Sequence, residues 1–248
     1  MKIVFVPKKQ ALIAVLALAF FLLLLALKTY QDDEQRWRQE MYRPGLNDKL
    51  IMIDPGHGSA DPGAIAGGTA EKDINLAISR ALQQELREGQ VKALLTREEE
   101  GGINPAATMT LLERYRNLLT RKALADEARA HIFVSIHTNS NEDRRASGGI
   151  VYYHTGNPYN KVLAEMIQEE LNGLYKTRRI IEQADFTVVS GNAMPAVLVE
   201  TGFITNPRDR GRLTDREFQQ AIARAIHRGL VKYADKLPGK IGIRTQGK

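Results

Sequence analysis

After residue 49 the chain alternates short apolar segments with amphipathic ones, and one long apolar run precedes this pattern. Six of the short segments are almost wholly apolar, which is typical of strands that are covered on both faces of a sheet. We therefore predict strands at residues 50–53, 91–96, 132–136, 149–153, 186–189 and 196–199.

The intervening segments carry apolar residues at helical spacing. Besides the helix described next, one helix is expected at roughly residues 109–128. Another begins at Asn157-Pro158, where a capping residue is followed by proline at the first helical position. The first helix lies in "DINLAISRALQQELREG" and stops at Gly89, a residue common at helix ends. Its apolar stripe consists of Ile74, Ile78, Ala81, Leu82 and Leu86.

The last helix has the clearest predicted start. Thr214 and Glu217 match a capping box, and Leu213 and Phe218 can form a hydrophobic staple. The alternation as a whole predicts an α/β domain, a three-layer sandwich in which a mostly parallel, twisted sheet of about six strands carries helices on both faces. The expected buried face of the last helix is Phe218, Ile222, Ile226, Leu230 and Tyr233.

The long apolar run at residues 11–27 would span roughly 25 Å as a helix, just enough to cross a bilayer. Lysines precede it and acidic residues follow it, so residues 1–10 are predicted to be cytoplasmic and everything after Tyr30 extracytoplasmic. The one good small-x-small site, Ala17-Leu18-Ala19, lies inside the run. This favours a retained transmembrane anchor over a cleaved signal, which would release a secreted protein.

The remaining chain divides by composition. Residues 28–48 are polar and charged and predict a linker, residues 49–235 a folded domain, and residues 236–248 a polar tail. The chain has 248 residues, a formal net charge of +6 and no cysteine. A thiolate nucleophile and a cysteine-ligated zinc are therefore excluded. The mild positive charge suits a polyanionic surface, but basic residues do not cluster with aromatics, so nucleic acid is not the expected partner.

Four polar residues adjoin predicted elements. His57 follows the first strand, His137 ends "IFVSIH", Glu200 ends "AVLVE", and Glu71 precedes the helix in "AEKDINLAI". Strand ends and helix starts share one rim of an α/β layer, so the four side chains can converge. Singly, such residues more often serve as hydrogen-bonding or dipole-complementing groups. Glycines flank His57 and are expected to let the backbone turn sharply there.

Two histidines and a glutamate are one known ligand set for catalytic zinc, with a water in the fourth position. Zinc lowers the pKa of that water and polarises a carbonyl, as amide hydrolysis requires. A further carboxylate that does not bind the metal can move the proton to the leaving amine. The sequence thus favours a zinc hydrolase, although no local motif ties two ligands together.

The motifs "IDPGHGSADPGA", "AEKDINLAI", "LLTRE", "HIFVSIHTNS" and "MPAVLVETGFITN" resemble, in order, those of the zinc-dependent N-acetylmuramoyl-L-alanine amidases. The resemblance covers roughly residues 49–235. It implies that His57, Glu71 and His137 bind zinc, that Glu200 is the catalytic carboxylate, and that residues 49–235 form the catalytic domain. The expected substrate is peptidoglycan, cut between N-acetylmuramic acid and L-alanine.

The whole chain further resembles the germination-specific amidases, which act on spore cortex and help to form muramic δ-lactam. Some of those are thought to need a partner protein, so a regulatory partner is possible here. Two alternatives stay open at this point. One is a non-catalytic wall-binding regulator with the same fold, and the other is a zinc peptidase that cuts within the stem peptide.

Overall fold

A computed structural model describes residues 8–41, 45–99 and 110–238. The chain forms two compact units, Met1–Glu40 and Met41–Lys248. Most of the predicted cytoplasmic segment 1–10 and of the predicted tail 236–248 lies outside the described residues, as do residues 42–44 of the predicted linker and the predicted start of the second helix at residue 109.

The apolar run belongs to a single helix, α1, at Lys8–Met41. The helix continues through the charged residues that follow the run. Its stretch Leu12–Trp37 has a mean hydropathy of 2.6 in its most apolar window and is long enough to cross a membrane. Because this stretch lies near the N-terminus, a signal sequence would have the same features.

The second unit contains a six-stranded mixed sheet and a small hairpin. The sheet order is β4-β1-β5-β8-β6-β7, and the first four strands are parallel to one another. β6 runs antiparallel to β8, and β7 parallel to β6. The strands are β1 Leu50–Pro55, β2 Ile65–Ala66, β3 Thr69–Ala70, β4 Lys92–Leu95, β5 Ile132–Asn139, β6 Ile150–Tyr153, β7 Glu182–Gln183 and β8 Ala196–Phe203, of which β2 and β3 form the hairpin.

Helices cover both faces of the sheet, as predicted. α2 and α4 pack on one face of the sheet, and α6 packs against these two helices. Alternation along a strand turns Ile53 of β1 toward this layer and Asp54 toward the opposite face. There Arg121 of α3 reaches Asp54, so α3 belongs to the other layer. The helices are α2 Glu71–Glu88, α3 Leu111–Glu127, α4 Pro158–Tyr175, α5 Pro207–Leu213 and α6 Arg216–Asp235.

Two local predictions are wrong. Residues 186–189 form a turn, in which the backbone N–H of Val189 donates to the carbonyl of Phe186, and not a strand. Val188 and Val189 are apolar because the turn is buried. The cap of α6 is Asp215, whose carboxylate accepts from the backbone of Phe218 at 2.8 Å. Thr214 is instead the C-cap residue of α5, a helix that the sequence pattern did not predict.

A buried ion pair ties α3 to β1 beside the predicted site. Asp54 is 1% exposed and accepts from the Arg121 guanidinium at 2.6 Å. It also accepts from the hydroxyls of Thr96 at 2.5 Å and Ser135 at 2.7 Å. Burial alone would raise the pKa of Asp54, but Arg121 and the two hydroxyls together lower it.

Asp54→Asn is expected to destabilise the protein by about 3–5 kcal/mol, because it leaves the buried Arg121 charge uncompensated. Since the folded-state pKa of Asp54 lies below its unfolded value, the contribution is present at neutral pH and is lost as pH falls below about 4. Urea denaturation at pH 7 and pH 3 measures both effects. The matched control, Asp143→Asn, removes an exposed pair with Arg145 and should change stability at neither pH.

Candidate metal centre and active-site cleft

Three parallel strands bring the predicted site residues to one edge of the sheet. His57 lies two residues beyond β1, and His137 of β5 is directly in register with Glu200 of β8. Glu71 is the first residue of α2, not a residue preceding the helix as the sequence suggested. The carboxyl ends of neighbouring parallel strands share an edge, so the four predicted residues converge.

His57, Glu71 and His137 form a compact cluster of candidate metal ligands. Each offers one ligand atom, and these atoms all lie within 4.8 Å of one another. The Glu71 carboxylate lies 3.2 Å from Nε2 of His57 and 3.0 Å from Nδ1 of His137. The two imidazole rings meet edge to face with their centroids 5.0 Å apart. A set of two histidines and one carboxylate suits a catalytic divalent cation.

Backbone and amide donors hold the Glu71 carboxylate in place. Its two oxygens accept from the backbone N–H of Ala64 at 2.9 Å, the backbone N–H of Thr138 at 3.1 Å and the side-chain amide of Asn75 at 3.2 Å. Burial alone would raise the pKa of Glu71, but the imidazoles of His137 and His57 outweigh it and hold the pKa far below its usual range. The carboxylate is therefore ionised, as a metal ligand must be.

His57 is positioned by a strained turn and by a second carboxylate. Its φ of 61° lies in the left-handed region, and Arg121 donates to its carbonyl at 2.6 Å. Nδ1 of His57 lies 2.9 Å from Asp61. Burial would lower the pKa of His57, but Asp61 and Glu71 raise it to about 9. A carboxylate behind one imidazole nitrogen is the usual support of a metal-binding histidine. Sequence reasoning missed Asp61, whose signal is its position four residues after His57.

Two glycines leave room for the cluster. A Cβ on Gly56 would lie 2.3 Å from Nε2 of His137. Gly63 has a φ of 67°, and a Cβ there would lie 2.6 Å from the Glu71 carboxylate. Of the glycines that flank His57, Gly58 has the predicted turning role, with a φ of 126°, whereas Gly56 allows close approach of the His137 ring.

Gly56→Ala should displace the His137 ring and lower the rate of hydrolysis by about 100-fold, since a shift near 1 Å in a catalytic group can have that effect. Metal content of the purified protein should fall with it. The matched control is Gly173→Ala in α4, where an added Cβ meets nothing within 4 Å. Initial rates and elemental analysis of both variants check this. Full rate and full metal content in Gly56→Ala would show that the cluster tolerates a displaced His137.

Glu200 lies beside this cluster with a carboxyl group that has an unusual environment. Its Oε2 atom is buried and has no hydrogen-bond partner among the described residues. Burial, and then the negative charge of Glu71, raise the pKa of Glu200 to about 8, while His57 opposes the shift. A buried carboxyl with a raised pKa at a sheet edge is a candidate for proton transfer.

A cleft of about 350 Å³ opens next to the cluster. His57 and His137 line one end of it, and α3 and the turn that contains Phe186 line the other. This volume is in the range of small-ligand sites. The fold and the site together define a hydrolase with a candidate metal centre.

Comparison with known proteins identifies the kind of hydrolase. Residues 51–232 match the model of the N-acetylmuramoyl-L-alanine amidase family, and the chain belongs to that family. It is therefore an N-acetylmuramoyl-L-alanine amidase that acts on peptidoglycan, as the sequence motifs predicted, and not a non-catalytic regulator.

Among curated relatives, the chain is 37% identical to the amidase LytC of Bacillus subtilis over 75% of its own length, but the match spans only 35% of LytC. It is 29% identical to the germination-specific N-acetylmuramoyl-L-alanine amidase of the same organism, over 87% of this chain and 92% of that relative. Among solved structures, the CwlD amidase of Clostridioides difficile in complex with the GerS lipoprotein superposes with a TM-score of 0.71 at 35% identity, covering 75% of this chain and 98% of CwlD.

Proposed function

We propose that this amidase is zinc-dependent and cuts the amide between the lactyl group of N-acetylmuramic acid and L-alanine. His57, Glu71 and His137 would be the zinc ligands and Glu200 the catalytic carboxylate. The observation that carries the proposal is the meeting of three ligand atoms within 4.8 Å beside a buried carboxyl.

The donor set fits zinc. Two imidazoles and a carboxylate leave a position for water, and the ordered Glu71 carboxylate would offset half of the charge of a divalent ion. When bound, zinc lowers the pKa of a water and polarises a carbonyl. Beside a bound cation, Glu200 would be ionised and could act as a base. The Glu200 carboxylate then accepts a proton from the attacking water and passes it to the leaving amine of L-alanine.

The proposed setting is the outer side of a cell membrane. Residues 1–10 would be cytoplasmic, residues 11–27 an anchor, residues 28–48 a linker, residues 49–235 the catalytic domain and residues 236–248 a tail. The apolar helix α1 and the lysines before its apolar run support this arrangement. A peptidoglycan substrate also requires an extracytoplasmic enzyme. A cleaved signal would give a secreted enzyme with the same site.

The proposed substrate is spore cortex, where removal of stem peptides prepares muramic δ-lactam. The similarity to a germination-specific amidase along most of both chains supports this role. We also propose a regulatory protein partner, since the similar CwlD amidase was solved with a lipoprotein.

Digestion of purified cortex and vegetative wall by the full chain in detergent, with and without a zinc chelator, tests the proposal. An amidase releases intact stem peptides and leaves peptide-free muramic acid, and both products should disappear with chelator and return with zinc. Product masses that correspond to shortened stem peptides would instead indicate a peptidase. Equal digestion of both walls would contradict the cortex assignment alone.

A further inference from the structure

The cleft beside the metal centre continues from the reacting groups toward α3. Leu198 of β8 lines the cleft, and Glu200, two residues further along the strand, points to the same face of the sheet. His137 likewise shares a face with Ser135, which hydrogen-bonds Asp54 on the α3 side. A substrate whose scissile amide lies at the cluster can therefore extend along this cleft.

One face of α3 forms a wall of the cleft. Arg114, Asn117, Leu118 and Arg121 line it, at the spacing of three and four residues that places side chains on one side of a helix. Leu118 forms an apolar part of the lining together with Val188 and Leu198. The wall thus combines an apolar surface with two guanidinium groups.

The two arginines differ in what they already bind. Arg121 is buried and donates to Asp54, to the carbonyls of Pro55 and His57, and to Asn117. Arg114 is exposed, and its guanidinium makes no hydrogen bond or ion pair with the described residues, although it is close enough to Asp61 to act on that carboxylate through its charge. Arg114 is therefore the cation of this wall that is available to a ligand.

Asp185, an exposed acid that also lines the cleft, has a histidine as its neighbour. Asp185 lies 3.6 Å from Nε2 of His154. The negative charge of Asp185 would repel an anion, whereas the Arg114 guanidinium lines the cleft with no hydrogen-bond or ion-pair partner among the described residues. An anionic group of the substrate is consequently expected beside Arg114 and not beside Asp185.

The stem peptide carries an anionic group at a suitable distance from the scissile amide. Its second residue, D-glutamate, is joined through its side-chain carboxyl, which leaves the α-carboxyl free or, in some walls, amidated as D-isoglutamine. This group is about two residues from the cut bond, roughly 7 Å when extended. The L-alanine methyl between them suits the apolar lining, and a guanidinium can bind a carboxylate with two parallel hydrogen bonds.

We propose that Arg114 binds the α-carboxylate of the second stem residue, so that the enzyme prefers stem peptides with D-glutamate over those with D-isoglutamine. This inference rests on the proposed function, because it places the muramoyl–alanine bond at the cluster. It assigns substrate selection to the α3 wall and leaves the bond-breaking step to the residues already described.

The test compares two muramoyl peptides that differ only in D-glutamate or D-isoglutamine, with the full chain in detergent. The wild type should show a kcat/KM about 10- to 100-fold higher for the D-glutamate substrate, the usual range for a hydrogen bond to a charged group. Arg114→Gln should bring this ratio close to one, mainly through a lower kcat/KM for the D-glutamate substrate. Arg114→Lys should keep part of the preference.

The matched control is Arg116→Gln, an exposed arginine on α3 that does not line the cleft, and it should keep the wild-type ratio. Thermal unfolding confirms that each variant is folded. Equal rates of wild type on the two substrates, or an unaltered ratio in Arg114→Gln, would overturn the inference alone. Cleavage of neither substrate at the muramoyl–alanine bond by the wild type would overturn the proposed function and the inference with it.

Discussion

Glu200→Gln should lower kcat on peptidoglycan by about 10²- to 10⁴-fold while the metal content of the purified protein stays the same. Glutamine has the shape of the half-buried Glu200 side chain but cannot accept the proton of the attacking water. Rates on purified wall, together with elemental analysis, give both quantities. Glu165→Gln, an exposed position on α4 near Lys161, is the matched control and should be fully active. A Glu200→Gln enzyme of normal rate would mean that another group moves the proton.

The same substitution should stabilise the metal-free protein. Because the folded-state pKa of Glu200, about 8, lies above the ordinary value of 4.5, ionisation of this buried group opposes folding increasingly as pH rises from about 4.5 to 8. Glutamine removes that penalty. The melting temperature of the metal-free variant should therefore exceed that of the metal-free wild type at pH 8, and the two should agree near pH 4. An unchanged difference across this range would contradict the raised pKa.

Glu71→Gln should lower hydrolysis to the level of chelator-treated wild type. It should also weaken zinc affinity by more than roughly 10- to 100-fold, which is the loss typical of replacing a residue that only hydrogen-bonds to a metal ligand. The substitution removes the negative charge that three donors and two imidazoles surround. Competition for zinc with a fluorescent chelator measures the affinity.

A graded comparison makes the test specific to the ligand role. Asp61→Asn removes the negative charge behind Nδ1 of His57 and leaves the candidate ligands themselves intact, so it should weaken zinc binding by about 10- to 100-fold and less than Glu71→Gln does. Equal zinc affinity in the Glu71→Gln variant and the wild type would show that the cluster binds metal through other residues, or not at all.

Much of the fold could be predicted because the spacing of apolar residues depends on interactions between residues that are near one another in the sequence. The stripe of α2 is buried at Ile74, Ile78 and Leu82, as its spacing required. The predicted strand at residues 186–189 failed because a buried turn and a buried strand leave the same apolar signature. Thr214 and Asp215 are both good caps, and the end of α5 at Leu213 decides which of them begins α6.

The four candidate site residues were also recognisable from sequence, since each adjoins a predicted element and lies in a family motif. Their supports were not recognisable. The need for glycine at residue 56 arises from the His137 ring, which belongs to a different strand. Arg121, expected only as part of a helix, donates to the carbonyl of His57 from 64 residues away.

By itself, the sequence determined the α/β class, most element positions and the residue types available for metal chemistry, because helix and strand patterns depend on side chains within a few positions of one another. Only the tertiary structure decided that Glu71 and His137, 66 residues apart, share a hydrogen bond, and that Oε2 of Glu200 lies beside them with no hydrogen-bond partner in the described part of the chain. The reason is that strand order sets which carboxyl ends become neighbours, and burial at that edge then sets the charge states.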